Sequence, residues 1–210
     1  MYPVKDFLCY YYAYMENQGT ATGEKTTAQS FWELVRFAFI ALLIVAPIRI
    51  FIMEPFVVSG SSMFPTFVNK DYLIIDKLSY RWSEPERGDV VVFRYPNDQT
   101  KFFIKRIIGL PNETVDISGS VITITNVKNQ ENSFNLEEPY VKNTANNDTH
   151  LKLKSDEYFV MGDNRSASSD SRYWGAVKRD LIRGKAFLRL LPVSNIDVWP
   201  GYYKQQQTAL

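Results

Sequence analysis

The stretch FWELVRFAFIALLIVAPIRIFIM, residues 31–53, limits what this chain can fold into more than any other. Phe37 to Ile48 carries no charge, and the apolar character continues past Arg49 to Met53. A helix from Leu34 to Met53 has the roughly 20 residues that cross a bilayer core, provided Arg36 and Arg49 reach toward the two interfaces. A buried core helix and the apolar part of a cleaved signal share this look. A cleaved signal rarely starts so far into a chain, however, and Arg49 followed by IFIMEP lacks the small residues that cleavage needs. The reading is an uncleaved transmembrane anchor over 31–53, kinked near its end by Pro47. Its flanking charges, Lys25 and Arg36 before and Arg49 and Lys70 after, leave its orientation open.

On either side the texture differs. Residues 1–30, with the run Tyr10-Tyr11-Tyr12, show no sustained period and read as a loosely ordered tail. From Glu54 onward, short runs rich in β-branched and aromatic residues alternate with turn signals: YLIID (72–76), DVVVFRY (89–95), FFIKRII (102–108), VITIT (121–125), EYFVM (157–161) and KAFLRLL (185–191). This pattern predicts a mainly β domain over 54–200 and a short tail over 201–210. The polar, Asn-rich stretch 119–150 reads as an inserted β cap.

Charge and composition exclude several chemistries. A net charge of +1, with Lys and Arg spread along the chain, does not provide a phosphate-neutralising surface, so nucleic acid is not an expected partner. Cys9 is the only cysteine and His150 the only histidine, so neither an intrachain disulfide nor a Cys/His zinc cluster can be built, and no metal site is expected. His150, in NTANNDTH, reads as a solvated loop residue.

The segment VSGSSMFPTF, residues 58–67, crowds Ser59, Ser61 and Ser62 beside Gly60. A Ser-His-Asp triad would have to recruit His150 from its polar stretch. A lysine amine can serve instead as the base if burial keeps it neutral. Strand alternation in FFIKRII puts Phe103, Lys105 and Ile107 on one face and Phe102, Ile104, Arg106 and Ile108 on the other. Lys105 thus projects between two large apolar neighbours. Bringing its pKa from about 10.4 to about 8 takes roughly 3 kcal/mol of destabilisation of the ammonium. The same pattern also fits a lysine that merely snorkels at a strand edge.

GSSMFPT, RGDVVVFRYP, KRIIGLPNE and GDNRSASSDSRYWG, in this order and downstream of an apolar anchor, resemble the bacterial type I signal peptidases over roughly residues 54–191. The resemblance implies an antiparallel β catalytic domain of the kind shared with repressor autoproteases, carrying a small inserted β cap and tethered by one transmembrane helix. It implies Ser62 as nucleophile, Lys105 as general base and Ser168 as a hydroxyl that orients the lysine. Ser59 and Ser61 become supporting backbone, and Met63, Pro65 and Thr66 shape the turn after the nucleophile. Asp163 is expected to pair with Arg106, and Asp170 with Arg172. At Gly60 some members carry a serine that helps bind the oxyanion, which leaves the second donor open between a backbone N–H and a water.

The implied substrate is an exported preprotein with an Ala-x-Ala segment, bound as an added strand between Phe56, Val57, Val58 and Ser59 on one side and Phe102, Phe103 and Ile104 on the other. The implied place is the plasma membrane of a bacterium, with the tail cytoplasmic and the catalytic domain on the outer face. No cofactor is implied, and a monomer is expected to suffice. Phe64, Phe67 and Trp199 are expected either to touch the bilayer or to fill the core. Two other readings fit parts of the pattern: a self-cleaving regulator, and a tethered β module that binds exported chains without cutting them.

Overall fold

Pro47 decides where the apolar segment stops being an α-helix. The computed structural model describes residues 27–126, 133–143 and 148–203, so Cys9 and the Tyr-rich tail up to position 26 lie outside the described residues. Helix α1 runs Thr27–Pro47, and its part Ser30–Pro47 is long and apolar enough to cross a membrane. Phe31, Trp32, Phe37, Leu42 and Ile44 are exposed along it. Proline lacks the N–H that would continue the ladder and crowds the preceding turn. After it, Ile48–Ile52 takes a wider π-type turn, and Met53–Val57 is already a strand, β1. The helix therefore starts four residues before the expected anchor, and Met53 belongs to the β domain. The helical unit ends at Pro47 and the β-rich unit begins at Ile48.

The β-rich unit holds two antiparallel sheets. The larger has the order β1, β2 (Tyr72–Asp76), β11 (Ile182–Leu191), β3 (Val90–Tyr95), β4 (Asp98–Gly109), β9 (Glu157–Met161), β10 (Val177–Lys178), with β12 (Asp197–Val198) also on β11. The smaller has the order β7 (Ser133–Asn135), β6 (Val121–Asn126), β5 (Glu113–Ser118), β8 (Thr149–Lys152). This second sheet begins at Glu113 rather than 119. ETVDIS forms its own strand because Val115 and Ile117 point into a core while Thr114 and Asp116 point away from it. His150 lies on β8, not in a loop, and its exposed ring touches Asp116, its register partner on β5.

The apolar run VVVF of β3 is buried on both faces. Val92 joins Met63, Phe67, Leu73 and Ile75 on one side, and Val91 and Phe93 join Ile107, Tyr158 and Val160 on the other. A third cluster takes Val115, Ile122 and Ile124 from the small sheet and Phe159 and Met161 from β9, so β9 belongs to both sheets' packing. Phe67 is fully buried and cannot reach a bilayer, whereas Phe64 and Trp199 are exposed.

Candidate active site

The site is built around a strand that is half paired. β4 bonds to β3 through Phe102, Phe103, Ile104 and Lys105, while β9 joins its other edge only from Arg106 onward. The β9 chain turns away after Met161, so among the described residues no strand lies beside the second edge of residues 102–105. Among the described residues β1 pairs only with β2 and is likewise open on one side. Phe56, Val57, Val58, Ser59, Phe102, Phe103, Ile104, Lys105 and Ser62 line one cavity of about 450 Å³. Phe56 and Phe102 meet edge to face across it, with ring centroids 5.3 Å apart.

Ser62 rides on the loop between β1 and β2, which is pinned by the residues around it. Met63 and Phe67 sink into the core, and turn bonds run from Phe64 N to Ser61 O (3.1 Å) and from Phe67 N to Met63 O (2.9 Å). Pro65 sits within this turn. Gly60 has φ +94°, a conformation that disfavours any residue with a Cβ, and its N–H donates to Asn69 Oδ1 at 3.1 Å. That N–H is already engaged and is not a spare oxyanion donor.

Lys105 Nζ lies 2.6 Å from Ser62 Oγ and donates to the Ile104 carbonyl at 3.0 Å. The side chain is 4% exposed, with the Phe103 ring 5.4 Å from the amine. Burial pushes the amine down to about 8, against the opposing pull of the Asp170 and Asp163 carboxylates. At that value about a tenth of the amine is neutral at pH 7, with a lone pair available to a hydroxyl proton.

Arg106 goes to the opposite face. Its Nε and Nη2 donate to the two Asp163 oxygens at 2.8 and 2.7 Å, and both side chains are completely buried. The same carboxylate accepts Thr66 Oγ1 at 2.5 Å, which ties the Ser62 loop to β4. Asp170 accepts Arg172 Nε at 2.8 Å and Nη2 at 2.9 Å and also takes the Gly162 N–H at 3.1 Å. This pair is also buried, at the start of the short helix α2 (Ser171–Trp174).

Ser168 is buried beside the site, but its Oγ has no hydrogen-bond partner, so the expected bond to the lysine amine is not formed here. The amine's contacts go to Ser62 and Ile104 instead. Two residues escaped the sequence reading. Gly162 is so close to the Ser62 carbonyl and the Ser168 hydroxyl that a Cβ would collide with both. Asn164 donates its N–H to Ser62 O at 3.0 Å and its Nδ2 to Ser61 O at 3.1 Å. Their only signal was membership of the GDNR turn.

A family model described as signal peptidase, peptidase S26, matches residues 31–191. The chain belongs to the peptidase S26 family of signal peptidases. A probable signal peptidase I-2 from Synechocystis sp. is 37% identical over 85% of this chain and 82% of its own. A signal peptidase I from Leptolyngbya laminosa is 36% identical over 75% of this chain and 78% of its own, and one from Pseudomonas fluorescens 32% identical over 71% and 68%. Membership of the signal peptidase family makes the chain a serine peptidase and supports cleavage of signal peptides from preproteins. The family match begins within α1, takes in Ser62, Lys105 and Ser168, and ends with β11.

Proposed function

We propose that this chain is a membrane-anchored endopeptidase that cuts preproteins after a small residue, with Ser62 as nucleophile and Lys105 as general base. The observation that carries this is the 2.6 Å approach of a buried, readily deprotonated amine to the Ser62 hydroxyl. Ser62 Oγ attacks the scissile carbonyl and its proton passes to Nζ. The resulting ammonium protonates the leaving amine as the C–N bond breaks, and an acyl-enzyme remains. Neutral Lys105 then takes a proton from water, whose oxygen attacks the ester, and the ammonium passes that proton to Ser62 Oγ as the ester C–O bond breaks, which releases the acid and restores both groups. These steps use protein groups and water only.

The substrate lies extended in the groove between the open edges of β1 and β4, where unpaired backbone N–H and C=O groups can bond a third strand. The groove's apolar lining favours small side chains near the cleaved bond. The helix α1 anchors the enzyme, and its substrate's cleavage site requires the β-rich unit to face the outer side of the membrane. One chain carries every group the mechanism needs, so a monomer suffices.

The test is incubation of detergent-solubilised protein, beside Ser62→Ala, with a preprotein bearing an Ala-x-Ala site, followed by N-terminal sequencing of the product. The expected result is a cut after the small residue that Ser62→Ala abolishes without unfolding the chain. Folded wild-type protein that leaves several such preproteins intact would sink the proposal.

A further inference from the structure

The chain between β7 and β8 leaves the small sheet and crosses to the scaffold behind Ser62. Leu136 still packs in the small sheet's core. Seven residues later the segment has touched three separate parts of that scaffold. Glu138 holds Arg165 through two bonds of 2.5 Å, with the side chains only 10% and 6% exposed. Arg165 Nε donates to the Gly162 carbonyl at 3.1 Å, and the Arg165 carbonyl accepts Arg172 Nη2 at 2.7 Å. The Tyr140 ring lies 4.0 Å from the Arg106 guanidinium, and its hydroxyl donates to Glu138 Oε1 at 2.8 Å. Asn143 bridges Asn164 and donates to its Oδ1 at 3.3 Å, and Asn164 in turn holds the carbonyls of Ser61 and Ser62.

We infer that Glu138 is a positioning residue for the Ser62–Lys105 pair, acting through Arg165 and Gly162, and that the small sheet thereby sets the geometry of the active site. This deepens the proposed function and rests on it. The argument is one of tolerance. A buried guanidinium stripped of its carboxylate is strongly disfavoured, and its direct relief is to turn toward water and release the Gly162 carbonyl. The space beside Gly162 Cα would not admit even a methyl group against the Ser62 carbonyl and the Ser168 hydroxyl, so a backbone shift in that direction presses on both. A misplacement of about 1 Å at reacting groups costs on the order of 100-fold in rate. None of Glu138, Tyr140 and Asn143 lines the groove, so substrate binding is not their task.

The prediction is therefore a lower kcat at unchanged KM in protein shown to be fully folded, a condition under which a residue that only stabilised the fold would leave both unchanged. The full detergent-solubilised chain is assayed with an Ala-x-Ala preprotein as wild type, Ser62→Ala, Glu138→Gln, Glu138→Asp and Tyr140→Phe, at a temperature where tryptophan fluorescence shows each folded. Glu138→Gln is expected to lower kcat roughly 10- to 100-fold while KM stays within about twofold, and Glu138→Asp to recover part of the loss. Folded Glu138→Gln with wild-type kcat, or a loss confined to KM, would overturn the inference. If Glu138→Gln does not fold, Tyr140→Phe decides: it removes only the hydroxyl that steadies Glu138, and a lower kcat at unchanged KM supports the role while a wild-type kcat rejects it. A wild-type chain without Ser62-dependent cleavage would refute the proposed function itself and this inference with it.

Discussion

Replacing Lys105 with methionine removes a charge while keeping an unbranched side chain of similar length, and its effect on stability should depend on pH in a calculable way. The folded protein holds the amine at about 8 rather than its ordinary 10.5 because the side chain is buried. That difference corresponds to roughly 3 kcal/mol of destabilisation when the amine is charged. The sign follows from proton linkage. Between pH 8 and 10.5 the unfolded chain binds the lysine proton and the folded chain has lost it, so wild-type stability rises with pH across that window. Below pH 8 the full penalty applies. Lys105→Met has no such group, and the other titrating groups are common to both proteins. The two lost bonds, to Ser62 Oγ and Ile104 O, each cost about 0.5–1.5 kcal/mol and do not vary with pH in the variant. Any advantage of the methionine variant should shrink by about 2.5 kcal/mol between pH 7 and pH 10. Urea unfolding of both proteins in detergent, followed by tryptophan fluorescence, measures this directly. A stability difference that stays flat from pH 7 to 10 would refute the claim that burial destabilises the ammonium, and with it the basis for a neutral lysine acting at moderate pH.

Activity should follow the same group. With the neutral amine as the proposed base, kcat/KM should rise with pH through about 8, and a profile flat from pH 6 to 10 would rule out Lys105 in that role. Asp163→Asn should cost about 3–5 kcal/mol, because it leaves the completely buried Arg106 guanidinium without its carboxylate. A denaturation midpoint equal to the wild type's would show that the Asp163–Arg106 pair is not a main support of β4.

In the larger sheet β3 and β9 were legible because both of their faces are covered, which makes them the continuous apolar runs VVVF and EYFVM. β5 was not, because four of its six residues are polar and only the alternation in ETVDIS reveals it. β1 was hidden for the opposite reason: IFIMEPFV continues the apolar helix without a change of hydropathy, and only Pro47 hints at the switch. Within the site, Ser62 and Lys105 could be singled out since few residue types can perform acyl transfer. Gly162 and Asn164 work through their backbone or through a turn, where many sequences look alike. Glu138 meets Arg165 across 27 positions, from the loop after β7 to the turn after β9, a contact that no local pattern encodes.

Lys105 and Arg106 are sequence neighbours with opposite fates, and only the pleat of β4 separates them. The hairpin joining β3 and β4 therefore does more than reverse the chain. A one-residue slip in the pairing of residues 102–106 with β3 would turn each of these side chains to the other face. A guanidinium, protonated at every accessible pH, would then stand before the serine, and the lysine would take the place of the guanidinium beside Asp163. The protein could keep every residue of its site and still be inert. The register of that pairing is thus under the same constraint as the presence of Ser62 itself.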